Sequence, residues 1–213
     1  MSLRDALRNI EATRRRHGPA AAALLAWSAL SPGTRHYQLF GLSPLHGLPP
    51  PAGPSGAHRF RLATPEEIVA GNGIWSSRDC DAMQRGDRCL LQWDGERLAG
   101  YTWAAGSSLV CLTEGVHLNL PDDAAYIYKA YTAPEYRGHG FQARRGLELL
   151  RLLEPEGRRR LFAYVERENF DSLKGIHKTG YERVGSLVVA RKRGEVRVTL
   201  RVSSAYWSDL RRA

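Results

Sequence analysis

Apolar and polar positions alternate with helical spacing at the start of the chain. Leu3, Leu7 and Ile10 form one stripe over residues 3–17, and the alanine-rich segment Ala20 to Leu30 predicts a second helix. His36 to Leu42 reads as a short strand. Residues 43–56 then carry five prolines among several glycines, a density that excludes a regular element and predicts a linker or surface loop. From residue 58 the period changes. His58 to Leu62 alternates as a strand, and Thr64-Pro65-Glu66-Glu67 is a capping box with proline at the first helical position. Ser76 to Arg85 predicts a helix, and Arg88 to Trp93 with Arg97 to Ala105 predicts a hairpin across Asp94-Gly95.

The second half continues with a strand over Ala124 to Thr132, an amphipathic helix over Phe141 to Leu153 and a strand over Arg159 to Val165. A helix over Ser172 to Thr179 follows, and a last hairpin pairs Tyr181 to Lys192 with Glu195 to Ser203 across Arg193-Gly194. The expected fold class is α/β, mixed α+β: a central mixed sheet with helices on both faces. The expected organisation is an N-terminal helical extension with its Pro/Gly-rich linker, residues 1–57, and a core domain, residues 58–213.

Composition narrows the class. With 213 residues, 43% hydrophobic and 25% charged, the chain suits one well-cored globular domain plus an extension. No window approaches eighteen consecutive apolar residues, so no transmembrane helix is expected. Pro19 to Leu30 follows the basic run Arg14-Arg15-Arg16, yet Asp5 and Glu11 precede it and no clear cleavage site follows, which argues against a secretory signal. Cys80, Cys89 and Cys111 form no CxxC pair and no even set. They suit a reducing cytoplasm and imply no metal site. The net charge of +9 favours anionic ligands. Arginine clusters at 14–16, 158–160 and 191–193 lack interleaved aromatics and fall at helix ends and turns, so solvated surface is expected there, and nucleic acid is not an expected partner.

The densest chemical signal lies at residues 127–146. A strand runs into Pro134, then a glycine-rich turn, then a helix start. Gly138 and Gly140 can take positive φ and turn successive N–H groups toward one point, and the helix from Phe141 adds free N–H groups and the positive end of its dipole. Such a turn suits a pyrophosphate, with Arg137 as a charged partner; an ordinary strand-turn-helix connection uses glycines equally well.

Arg137-Gly138-His139-Gly140-Phe141-Gln142 resembles the Gln/Arg-x-x-Gly-x-Gly/Ala signature of the GCN5-related N-acetyltransferases (GNATs). The context extends the resemblance over roughly residues 58–200. Ala130-Tyr131-Thr132 and Pro134-Glu135-Tyr136-Arg137-Gly138 precede the turn, and Phe162 to Val165, Asn169, a helix and Gly180-Tyr181 follow it. The resemblance implies a GNAT-like acyl-coenzyme A N-acyltransferase fold with a mostly antiparallel sheet, and acetyl-coenzyme A as the acyl-donor substrate. It also implies a donor site made of Ala130, Tyr131, Thr132, Arg137, Gly138, His139, Gly140, Phe141, Gln142, Ala143 and Asn169. The strand of the triplet and the strand after the helix would splay apart around the pantetheine arm, with a bulge or kink near Ala130 to Thr132.

Departures bear on the chemistry. Gln142 stands at the signature's last Gly/Ala. Tyr164 stands where family members often have a Glu, and Ile176 where they often have a Tyr. Substitute proton carriers are Tyr128, His177, Tyr181 and Tyr164, with Glu114 and His117 as candidate bases in the loop before the strand. Tyr128 should share a strand face with Ala130 and Thr132, and Lys129 should lie on the other face. Tyr128 and Tyr164 also suit packed core positions, and Asn169 suits a helix cap. The acceptor implied is a small-molecule or sugar amine. Two alternatives remain open: a non-catalytic coenzyme A-binding sensor or partner module, and a long-chain acyl-coenzyme A enzyme. A homodimer fits the exposed edges and apolar stripes of the extension.

Overall fold

The computed structural model describes residues 3–30, 33–43, 58–70, 74–113, 116–203 and 210–212. Helices α1 (Leu3–His17) and α2 (Pro19–Ala29) contact each other, and Pro19 starts α2 where its missing N–H costs nothing. Strand β1 (Thr34–Leu42) follows, then β2 (His58–Leu62), α3 (Pro65–Ala70) and α4 (Ser77–Gln84). The meander continues through β3 (Arg88–Asp94), β4 (Arg97–Ala104), β5 (Leu109–Thr113), β6 (Val116–Asn119) and β7 (Ala124–Thr132). The last elements are α5 (Phe141–Leu153), β8 (Arg160–Glu166), α6 (Phe170–Lys178), β9 (Glu182–Lys192), β10 (Glu195–Val202) and β11 (Arg211–Arg212).

Eight strands form the central sheet in the order β10-β9-β1-β8-β7-β4-β3-β2. Every pairing is antiparallel except β7 with β8. On one face α5 and α6 bury Leu149, Leu150, Leu153 and Ile176 against Phe40, Leu90, Ala125, Leu161 and Ala163. On the other face α3 and α4 bury Ile68 and Ala82 against Cys89, Leu91 and Trp103. The rest of that second face is covered by a three-stranded sheet, β11-β6-β5, whose Val110, Leu112 and Leu118, with Leu210 just before β11, pack on Tyr37, Leu39, Tyr126 and Phe162. Removing this much apolar surface from water is the main driving force for the layered fold.

Three expectations change. Strand β1 lies inside the sheet, hydrogen-bonded to β8 on one side and β9 on the other. The expected boundary between residues 57 and 58 therefore falls between two strands of one sheet. Leu39 and Phe40 are fully buried on opposite faces, as an internal strand requires. The small sheet was not expected, because β5 and β6 are too short for their period to stand out. Of the 158–160 run, only Arg159 is plain surface. Arg160 is buried in an ion pair with Asp123, and the Arg158 guanidinium donates to the carbonyls of Asp122 (2.7 Å), Ala124 (2.9 Å) and Gly106 (2.9 Å). Of the expected linker, residues 43–56, all but Ser43 lies outside the described residues.

Candidate functional site

Strands β7 and β8 pair only at their starts, Ala124 to Tyr126 against Arg160 to Phe162. Beyond Tyr126, β7 stays with β4 and leaves β8 unpaired on that side. A bulge accompanies the parting. Trp103 faces Tyr128 and Tyr101 faces Tyr131, so Lys129 and Ala130 together oppose the single residue Thr102. Lys129 carries the extra turn at φ 46°, a conformation that costs an L-residue about 1–2 kcal/mol. Its ammonium is held by Asp79, a buried carboxylate that also accepts from the Ser76 backbone (2.9 Å) and hydroxyl (2.7 Å) at the cap of α4. Burial alone would raise the Asp79 pKa, but the bonds from Lys129 and Ser76 hold it below the usual carboxylate value.

The bulge reverses the expected alternation. Thr132 faces α5, where its hydroxyl meets Arg145, whereas Tyr128 packs with Trp103 on the α4 side. Lys129 turns to α4 as well. Tyr128 thus does not share a face with Thr132, and Lys129 does not point away from Tyr128. A period-two reading fails wherever one strand gains a residue.

On the α5 side, the end of β7, the turn after it and the starts of α5 and α6 border a cleft of about 510 Å³. Gly138 (φ 86°) and Gly140 (φ 76°) form its turn, with open space where a Cβ would stand, and Gly140 is the left-handed N-cap of α5. No side chain caps α5, so the N–H groups of its first turn and its dipole are available to an anion. Of the residues named for the donor site, Ala130, Tyr131, Thr132, Arg137, Gly138, Gly140, Phe141, Gln142 and Ala143 line this cleft. Arg137 is tied to the strand by its Nε, 3.1 Å from the Thr132 carbonyl. The Gln142 carboxamide lies sideways against Gly175 of α6, where a Cβ would be 2.8 Å from its oxygen. Its bulk is therefore taken up between two helices.

Two expected donor-site residues are not among those lining the cleft. His139 is exposed, with its ring 6.0 Å from that of Phe141. Asn169 caps α6, accepting from the Ser172 N–H at 3.2 Å, and lines a neighbouring cavity against α1. Conversely, Arg16, Tyr136, Asp171, Ser172, Lys174, Gly175, Lys178 and Thr179 line the cleft without having been singled out. Arg16 was legible only as part of a basic run, and the α6 residues only once α6 is placed beside the turn.

Arg145 was also missed. It is fully buried in α5, and its guanidinium joins three strands: Nη1 to Gln92 Oε1 (2.7 Å), Nε to Thr102 Oγ1 (3.2 Å) and Nη2 to Thr132 Oγ1 (2.6 Å). No carboxylate is among these partners. Burial draws its pKa down to about 10, and the charge sits directly beneath the strand end that lines the cleft.

The proton-carrier candidates separate into two groups. Tyr128 and Tyr164 stand on the two arms of the parting, both stacked on Tyr126 (centroids 5.6 and 5.7 Å), on the face opposite α5 and α6. Tyr128 donates to Asp87 and Tyr164 to the Leu112 carbonyl. Burial raises the pKa of both phenols, and the Asp87 carboxylate raises that of Tyr128 further, so both remain protonated at neutral pH. His177 and Tyr181 do not reach the cleft. His177 is exposed with its ring edge-on to Phe40 at 5.2 Å. Tyr181 is buried behind α5, its hydroxyl near Gly146, with its pKa raised by burial. His117 faces solvent from β6, and Glu114 lies outside the described residues. A second hollow of about 600 Å³ at the β2–β3 edge borders the Gly95 hairpin turn, and no helix terminus is among the residues that line it.

No protein-family model and no curated protein matches the sequence. Solved structures do. The chain is similar to a GCN5-related N-acetyltransferase from Sphaerobacter thermophilus, with TM-score 0.51 and 13% identity over 80% of this chain and 55% of that one. It is similar to AAC(6')-Iy in complex with the bisubstrate analogue CoA-S-monomethyl-acetylneamine, with TM-score 0.50 and 15% identity over 64% of this chain and 98% of that one. The chain spans 55–66% of the length of three of the structures it resembles. The fold is GNAT-like: mixed α+β, with a mostly antiparallel central sheet flanked by helices. No helix among the described residues is long and apolar enough to cross a membrane.

Proposed function

We propose that this protein is an acyl-coenzyme A-dependent N-acyltransferase, with acetyl as the group moved and a small amine as the acceptor. The observation that carries this reading is the uncapped, glycine-turned start of α5, which shares one cleft with the bulged end of β7. The pyrophosphate of the donor would sit at Gly138 to Ala143, held by backbone N–H groups and Arg137. The pantetheine arm would enter the parting alongside Ala130 and Thr132. Their amides would hold the thioester carbonyl and stabilise its oxyanion as the amine attacks. The tetrahedral intermediate then expels the coenzyme A thiolate, which takes up a proton, and the amine loses one.

Tyr128 and Tyr164 are assigned as the groups nearest the opposite mouth of the parting. As raised-pKa phenols they suit proton donation to the leaving thiolate or orientation of the amine, and not the role of base. The analogue bound to AAC(6')-Iy joins coenzyme A to a neamine, which supports a compact, amine-bearing acceptor. Acetyl-coenzyme A offered with a panel of aminoglycosides, amino sugars and polyamines should release free thiol with at least one of them, read by a thiol-reactive dye. Ligand binding without thiol release for any amine would favour the sensor reading, for which Ile176, buried where relatives often carry a Tyr, is the supporting feature.

A further inference from the structure

The N-terminal helix pair reaches the cleft through one residue. Arg14 and Arg15 both turn back to Glu11, with contacts of 2.9 and 3.0 Å to its two oxygens. Arg16 points the other way. Its Nη1 lies 3.1 Å from Asp171 Oδ2 at the start of α6, and it lines the cleft beside Lys174 and Lys178. His17 fixes the approach, its ring 5.3 Å from that of Phe170. Among the described residues, Lys174 and Lys178 make no salt bridge, and Asp171 is the one carboxylate lining the cleft against Arg16, Arg137, Lys174 and Lys178.

The glycine turn already answers one anion with backbone N–H groups. The cations on the α6 wall form a second positive locus, contributed by different elements, that the pyrophosphate does not need. Coenzyme A carries a second anion, the 3′-phosphate of its ribose. We propose that Arg16, supplied by the N-terminal helix pair, completes the donor site by binding that 3′-phosphate together with Lys174 and Lys178. Asp171 is the positioning residue that holds Arg16 at the cleft until the dianion arrives. This inference rests on the coenzyme A reading above. It makes the helix pair a working part of the site and gives the Arg14-Arg15-Arg16 run a division of labour: two arginines stiffen the helix and one recognises ligand. Arg16 is mostly exposed, so the contact should be screened by salt and worth a moderate factor in affinity.

The test is calorimetric titration of the full chain with coenzyme A and with 3′-dephospho-coenzyme A, in the wild type, Arg16→Ala and Arg16→Glu. Position 16 is exposed on a helix, so both variants should fold. The wild type should prefer coenzyme A by about tenfold at low salt, a preference that shrinks with added salt. Arg16→Ala should remove most of that preference and Arg16→Glu all of it, while affinity for the dephospho ligand changes little. Equal wild-type affinity for the two ligands, or an equal loss for both on substitution, would overturn the assignment. A wild type that binds neither would instead bring down the coenzyme A reading itself, and the proposal with it.

Discussion

The two faces of β7 are built from different materials. On the α5 face the cleft is made largely of backbone: two positive-φ glycines, an uncapped helix start and a bulged strand end. On the other face the parting is lined by side chains whose partners come from far along the chain, Tyr128 with Asp87 and Tyr164 with Leu112. Backbone sites are set by local conformation, so they bind what every donor of one class shares. Side-chain sites are set by tertiary packing, and they are where an acceptor would be chosen. One strand separates the two, and the bulge at Lys129 and Ala130 is what lets it serve both.

The harshest way to break the first face is Gly140→Asp. It forces a side chain into a left-handed conformation and puts a carboxylate where the pyrophosphate belongs. Affinity for coenzyme A should fall by more than about 100-fold, combining strain with like-charge repulsion, as read by calorimetry, while far-UV circular dichroism is preserved. On the second face, Tyr128→Phe and Tyr164→Phe should each lower turnover by roughly 10- to 100-fold with donor affinity unchanged, the range expected for loss of one proton-transfer group. Full activity in both would remove the phenols from the chemistry.

Arg145 supports the α5 face from beneath, joining β3, β4 and β7. Arg145→Met keeps the volume but leaves Gln92, Thr102 and Thr132 without their donor. Relief of a buried charge offsets part of that loss, so a net destabilisation of about 2 kcal/mol is expected. Thermal unfolding should show a fall of about 4–8 °C in Tm. The smallest effect concerns the bulge. Asp79 has a folded pKa below its ordinary value of 3.8, so its contribution to stability is present above that value and is lost as pH falls through the folded pKa. The wild type should lose stability across that acid range more than Asp79→Asn does, measured as Tm against pH.

The difference between the faces also explains what was legible in the sequence. The glycine turn, the helix after it and the two flanking hairpins are local patterns, and each stands close to where the period and turn residues placed it. The fold class followed from them. Strand β1 was legible as a strand but not as an internal one, because its partners Leu161 to Glu166 and Glu182 to Ala190 lie more than a hundred residues away. Lys129 and Tyr128 were assigned to the wrong faces because a bulge has no signature in their alternation. Arg16 looked like surface charge, and nothing in the pattern singled out Arg145. Only packing shows that one lines the cleft and the other lies under it. Tyr181 and His177 are close in sequence to the α6 wall, yet one points into the core and the other into water.

Thermal unfolding with and without acetyl-coenzyme A tests the central claim most directly, with free coenzyme A and a long-chain acyl-coenzyme A alongside. At a ligand concentration of about 100 times Kd, stability should rise by about 2.7 kcal/mol, which at this chain length is a Tm increase of about 5–10 °C. The account predicts that rise for acetyl-coenzyme A and free coenzyme A alike, since the turn at Gly138 and Gly140 holds the part they share. A larger rise confined to the long-chain ligand would move the acyl specificity away from acetyl. No rise with any of the three would contradict the donor site itself.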